Sequence, residues 1–411
     1  MGIAMIISLG GSPEPLKKSL TLYNPEKIVF LASHDSVSLA GDVLAACGKK
    51  PKAVYEITEN PNSMFECYKA ARRCVDRVTR AAGVPLQDVV VDYTGGTKVM
   101  TAALVLATIG GPYHFNYVGG DQRAKDGLGV VIDGHEKVYS EMNPWSVFAE
   151  EERRQIVVLF NRRRYSAVIE IIERCTQNSL PDEIALYFDF VKPLAEAFMS
   201  WEQFNHEIAR RKMLKGAAAL ERFLKRFPDP ELERLQRQLS DLEQYLNKII
   251  EVTDKMNVLH QILIDDILNN ARRRMDDNAF DDAAARMYRA LELYGQIIFR
   301  EAVGHSNSAA PPDVLPEEIR EKFMTRYLDR EAGILKLPLE ATFEFLKTIG
   351  HEAGERFFAN KKEMEKIQMN RNYSILAHGI APVTGHAAAV VWEIVSRFVQ
   401  FESNFDFPKL P

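Results

Sequence analysis

An α/β Rossmann-like domain followed by an all-α helical domain is the fold that the sequence predicts, on two observations. Up to about Glu141, short apolar runs alternate with amphipathic stretches, which implies a mostly parallel sheet with helices on both faces. Beyond Asn143-Pro-Trp145 strand signals almost vanish, and apolar residues recur at three- and four-residue steps, the helical period.

Taken in order, the strand runs are Ala4-Met-Ile-Ile7, Ile28-Val-Phe-Leu31, Ala53-Val-Tyr-Glu-Ile57, Val89-Val-Val91 and Phe115-Asn-Tyr-Val118. Helices are expected around Pro15 to Leu22, Ser36 to Cys47, Ser63 to Ala82 and Val99 to Ile109. A last run, Val130-Val-Ile132 with Lys137-Val-Tyr139, reads as a hairpin closing the sheet edge. The helical part includes Ile156 to Leu159, Ala167 to Ile172, Ile184 to Phe190, Leu232 to Ile250 and Leu259 to Leu268. Phe227-Pro-Asp-Pro230 stops one helix and starts another. Gly304 to Pro312, rich in small residues and proline, reads as a mobile loop. The domains are placed at 1–142, 143–255 (a helical connector) and 256–411.

The 411 residues are 46% hydrophobic and 27% charged, as in globular protein, and the net charge of −5 announces no global basic field. Contact with RNA would rely on local clusters such as Arg162-Arg-Arg164 or Arg272-Arg-Arg274, which are more often solvated faces. The four cysteines, Cys47, Cys67, Cys74 and Cys175, form no CxxC pair, so a reduced cytoplasmic setting without a metal site is expected. The uncharged stretch Val99 to Gly120 is cut by Gly110-Gly-Pro112, and no membrane span is expected.

Asp92-Tyr-Thr-Gly-Gly-Thr-Lys-Val-Met-Thr101 follows a strand and opens a helix, where an α/β protein holds an anion. Its spacing matches neither GxGxxG nor a Walker A loop, so phosphate binding and a simple tight turn both stay open. Leu9-Gly-Gly-Ser-Pro-Glu-Pro15, after the first strand, is a second loop of the same kind. In the helical part, Arg371 and His378 are seven residues apart, which on one helix would put them on one face. Gly379 and Pro382 would end that helix, leaving the histidine in its last turn, where the macrodipole favours the protonated form. An arginine and a titrating histidine suit metal-free ribonuclease chemistry with the RNA 2′-hydroxyl as nucleophile. Asp281-Asp282 reads as an acidic cap on a helix carrying Arg286, Arg289 and Glu292, with Tyr288, Leu291 and Tyr294 as core.

Both halves resemble one family. The Gly10 and Gly95 loops resemble those of the CARF domain, the CRISPR-associated Rossmann-like sensor of type III immunity. Arg371 to His378 is similar to the R-x(4–6)-H signature of HEPN ribonucleases in the six-helix variant of that family, and six intervening residues are the long end of that spacing. The resemblance implies a homodimer whose paired CARF domains bind one cyclic oligoadenylate, an allosteric activator and not a cofactor. Gly10, Gly11, Ser12, Thr94, Gly95, Gly96, Thr97 and Lys98 would line that pocket. It also implies cleavage of single-stranded RNA by Arg371 and His378, with Asn372 supporting the motif. A sensor without catalysis that acts through a partner, and a ring nuclease using Ser12 and Lys98, are the competing readings.

Overall fold

The computed structural model describes all residues except 1, 81–83, 121–135, 141–143, 178–179, 377–378 and 403. Residues 1–156 with 170–185 form one compact unit, and residues 157–169 with 186–411 form a second.

In the first unit the apolar runs become β1 (Ala4–Ser8), β2 (Lys27–Ser33), β3 (Lys52–Thr58), β4 (Val89–Asp92) and β5 (His114–Gly120). The helices between them are α1 (Pro13–Tyr23), α2 (Ala40–Leu44), α3 (Met64–Arg80) and α4 (Lys98–Thr108). The first five strands are parallel in the order β3-β2-β1-β4-β5, and β6 (Glu136–Tyr139) runs antiparallel at the β5 edge. Alternation along the strands sorts the core into two layers. Ile6, Val29, Val89 and Val91 meet α3 and α4, while Met5, Ile7, Ile28 and Phe30 meet α1 and α2. A central strand covered on both faces has no polar side, which is why β1 is buried at every position.

Two expectations change here. Lys137-Val-Tyr139 does form the edge strand, but it pairs with β5, Tyr139 opposite Tyr117; Val130-Val-Ile132 lies outside the described residues. The helix expected over Ser36 to Cys47 is a 3-10 turn at Ser36–Leu39 followed by the short α2. Ser33 and Ser36 exchange backbone N–H to Oγ bonds of 2.9 and 3.2 Å, a local bonding pattern that competes with regular helix.

Three helices, α5 (Trp145–Asn161), α6 (Tyr165–Cys175) and α7 (Asp182–Glu202), each contribute residues to both units. The second unit continues with α8 (His206–Arg226), α9 (Pro230–Val252), α10 (Gln261–Asp276), α11 (Phe280–Val303) and α12 (Glu317–Tyr327). A small hairpin of β7 (Leu328–Asp329) and β8 (Ile334–Leu335) precedes α13 (Leu339–Thr348), α14 (Glu352–Ala359), α15 (Lys361–Tyr373) and α16 (Gly385–Phe398). The Phe227-Pro-Asp-Pro230 stop works as read: the Asp229 side chain accepts from Glu231 N and Leu232 N at the start of α9. Gly304 to Pro312 is a loop, but a fastened one. Gly304 closes α11 with φ near +80°, and buried Asn307 donates to Leu337 O and Thr342 Oγ1 at 3.1 and 3.0 Å.

Within this unit Asp266 is wholly buried and accepts from Trp201 Nε1 at 2.9 Å, with His206 Nε2 at 2.7 Å. Its neighbour Asp265 takes the backbone N–H of Glu402, and burial, with the charges of Glu402 and Asp266, pushes its carboxyl up to about 6. Between about pH 4 and 6 the folded state therefore binds this proton more readily than the unfolded chain, so the Asp265 contribution to stability falls as pH rises through that window. Asp265→Asn keeps an acceptor for Glu402 and is expected to raise the unfolding temperature at pH 7.5. The advantage shrinks as the buffer is taken down to about pH 4.5; calorimetric scans across that range check it.

Candidate functional site

The two glycine loops come together at the carboxyl ends of β1 and β4. Gly10 lies against the turn: a Cβ there would stand 2.2 Å from Gly96 N, and one on Gly95 would stand 2.4 Å from Ser8 O. The glycines are thus needed where the loops touch, and Gly96 also holds φ near +87°. Gly10, Gly11, Gly96 and Thr97 border a cleft of about 270 Å3, together with Ser33 at the end of β2 and Asp35 and Ser36 from the loop that follows it. That third loop was missed, although the position of ligand sites beyond strand ends gave a signal for it.

Other expected residues sit elsewhere. Thr94 is committed to the sheet, its Oγ1 accepting from Val118 N at 2.8 Å, and Gly95 packs under β1. Ser12 and Lys98 stand exposed at the starts of α1 and α4, outside the cleft lining. Thr97 caps α4, accepting from Met100 N at 3.2 Å, and its hydroxyl donates to Pro61 O at 2.6 Å. The N–H groups of a helix start are a type of site that favours an anion. Beneath the turn, Asp92 is fully buried and accepts from Thr94 N at 2.9 Å, Asn116 Nδ2 at 2.6 Å and Ser19 Oγ. Burial raises its pKa while those three bonds oppose the rise.

In the second unit, Arg371 lies in the last turn of α15, and the helix stops at Tyr373. This corrects the expectation of one helix carrying Arg371 and His378 on a shared face. Buried Ser374 turns to extended backbone (φ −72°, ψ 154°), and its N–H and Oγ both donate to Arg371 O, at 3.2 and 2.9 Å. The carbonyl that a further turn would have used is already satisfied. With the helix gone, the macrodipole argument for the histidine goes too; His378 lies outside the described residues.

Beyond it, Val383 N donates to both Asp281 carboxylate oxygens at 3.3 Å, and Thr384 caps α16 by accepting from Ala387 N at 3.2 Å. Asp281 thus fastens this segment to the start of α11. Arg371 Nη1 donates to Asn372 Oδ1 at 3.0 Å, and its guanidinium stands 5.2 Å from the Tyr288 ring centre. Tyr288 is therefore only partly core, unlike Leu291 and Tyr294.

In the basic clusters Arg163, Arg272, Arg273 and Arg274 are held by protein groups, while Arg162 and Arg164 are exposed. Arg163 pairs with Asp276, Asp277 and Asp406 at 2.9 to 3.3 Å. Arg273 is buried against Glu202, which Arg274 also reaches, and Arg272 donates to Phe405 O at 2.9 Å. Among the described residues no group of three or more His, Cys, Asp or Glu side chains is arranged to hold a metal ion, and no helix is long and apolar enough to cross a membrane.

Two family models match the chain: the Csm6 6H domain over residues 148–248 and the Csm6 HEPN domain over residues 253–402. No curated protein sequence matches it. Among solved structures, Enterococcus italicus Csm6 bound to cyclic hexa-2′-fluoro-hexa-dAMP is similar over 97% of this chain and 94% of that one, with 11% identity and a TM-score of 0.57. Can2 from Sulfobacillus thermosulfidooxidans, in complex with cyclic tetra-adenylate, aligns over 48% of this chain and 66% of that one, with 12% identity and a TM-score of 0.25, too low to inform the fold. The first of these likenesses agrees with the observed architecture of a Rossmann-like sheet domain followed by helices.

The loop packing makes a contrast. Gly95→Ala, which sets a methyl against Ser8 O, is expected to cost about 1–3 kcal/mol. Gly11→Ala, with no atom within 4 Å of the added carbon, stays within about 0.5 kcal/mol. Thermal unfolding of both variants checks it, and equal shifts would contradict the packing described.

Proposed function

From the premise that the chain belongs to the Csm6 family of CARF–HEPN proteins of type III CRISPR systems, we propose that it is a cytoplasmic single-stranded RNA endoribonuclease switched on by cyclic oligoadenylate. The observation that carries this reading is that the Csm6 HEPN match spans Arg371 and the segment behind it. Arg371 sits at a helix end, and among the described residues all but one of its donors are unspent on protein acceptors.

The N-terminal cleft supports the sensing half. Its volume of about 270 Å3 falls below the ~300–1,000 Å3 of a typical small-ligand pocket. A ring of several nucleotides therefore needs two copies of it, as a two-fold homodimer provides. Phosphates would meet the amides at Gly10, Gly11 and Gly96 to Lys98, with the exposed Lys98 side chain at the start of α4 as a further cation. The ligand of the Enterococcus italicus structure is of this ring class. Near Arg371, Ile375, Leu376 and Ile380 are 67%, 56% and 94% exposed. Large apolar side chains left in water on one segment suit a surface that a second copy covers.

In the composite site of such a dimer, His378 removes the proton of a ribose 2′-hydroxyl, and the 2′-oxygen attacks the adjacent phosphorus. Arg371 offsets the charge that builds on the non-bridging oxygens, and Asn372 steadies Arg371. The P–O5′ bond breaks, the leaving oxygen gains a proton, and the products end in a 2′,3′-cyclic phosphate and a 5′-hydroxyl. Nothing in this sequence of steps calls for a metal. Binding of the ring shifts the HEPN pair toward its cleaving arrangement.

Labelled single-stranded RNA incubated with the protein, cyclic oligoadenylates and EDTA is expected to be cut. The Arg371→Ala, His378→Ala double variant should lose at least about 10²-fold in rate. Ring binding without RNA decay would instead support a sensor acting through a partner. Loss of the ring itself on chromatography would support a ring nuclease.

A further inference from the structure

Arg371 is the cation on which the ribonuclease reading depends, yet among the described residues no carboxylate pairs with it. Its protein contacts are the Asn372 amide oxygen beside it in sequence and the face of Tyr288, 5.2 Å from the guanidinium carbon. Tyr288 is itself set in place. It lies mid-way along α11, half-buried, with Glu292 one turn on beside its hydroxyl. Burial, and then the Glu292 charge, raise the hydroxyl pKa, so it stays a donor at any working pH.

We infer that Tyr288 is a positioning residue for Arg371, holding the guanidinium by its ring face so that the N–H edges stay free for an RNA phosphate. The physics separates this arrangement from an ordinary ion pair. A carboxylate would take two donors and cancel the charge that phosphate recognition needs. An aromatic face attracts the cation through its quadrupole and consumes no donor. Arg371 sits in the last turn of α15, and the chain leaves the helix two residues on, so the backbone alone restrains a long side chain poorly there. α11 supplies the restraint from both directions. Tyr288 meets the residue before the break, and Asp281 and Phe280 meet Val383 and Gly385 after it.

This inference rests on the ribonuclease reading for its rate effect, but its contact is measurable without RNA. In the full-length protein labelled with 15N-arginine, the Arg371 Nε–Hε resonance is identified by its loss in Arg371→Lys. It is expected to be displaced by the ring current in the wild type and in Tyr288→Phe, and to return to the position of exposed arginines in Tyr288→Leu. In the activated cleavage assay, Tyr288→Phe should stay within about threefold of wild type. Tyr288→Leu should lose about ten- to a hundredfold in kcat with KM changed by less than about threefold.

An unmoved resonance in Tyr288→Leu overturns the inference, whether or not the wild type cuts RNA. So does a Leu variant that cuts at the wild-type rate, or Phe and Leu variants that fall alike together with their unfolding temperature. A wild type that cuts no RNA overturns the ribonuclease reading alone, and the resonance still decides the contact. If Tyr288→Leu does not fold, Tyr288→Met serves as the ring-free variant.

Discussion

A buried carboxylate without a cation fixes the N-terminal site. Asp92 ends β4 inside the protein, where an unpaired charge is costly, and among the described residues its partners are neutral donors from three directions. Ser19 comes from α1, Asn116 from β5 and the Thr94 amide from the turn itself, so one side chain ties together a helix, a strand and a loop. Asn116 Nδ2 also reaches Ser19 Oγ at 2.8 Å, which closes the network. With the turn fixed, Ser8 Oγ donates to Gly95 O at 2.6 Å and Gly10 comes to rest on Gly96. The cleft is the outer surface of that packing.

The same economy of polar groups recurs around Arg371. Ser374 satisfies the Arg371 carbonyl in the last turn of α15 where the helix breaks, Asp281 takes an amide from the far side of the break, and an aromatic ring meets the arginine. In both places side chains that hold the backbone are themselves bonded to it. Among the described residues, most of the Arg371 donors have no protein acceptor.

The parallel sheet was legible because strands buried on both faces must read as unbroken apolar runs, as Val89-Val-Val91 does. The glycine turn and the Asp229-Pro230 helix start were legible because caps and tight turns leave fixed residue signatures. The break after Tyr373 was not. It comes from a serine hydroxyl competing for a carbonyl three residues back, which leaves the spacing of Arg371 and His378 looking helical. The ion pairs of the arginine clusters were not legible either: the acids that occupy Arg163 lie 113, 114 and 243 residues away, beyond the reach of a local reading. Ser33, Asp35 and Ser36 were overlooked because no glycine marks the end of β2 or the loop after it.

On the proposed account the two sites are one switch, and a switch has a thermodynamic signature that neither site has alone. If the ring favours the arrangement that grips RNA, then RNA must favour the arrangement that grips the ring, by the same factor. The affinity of the intact protein for a cyclic oligoadenylate, measured with and without a saturating single-stranded RNA whose 2′-hydroxyls are blocked against cleavage, tests this directly. The account predicts tighter ring binding with RNA present, by about fivefold or more. Equal affinities would contradict it.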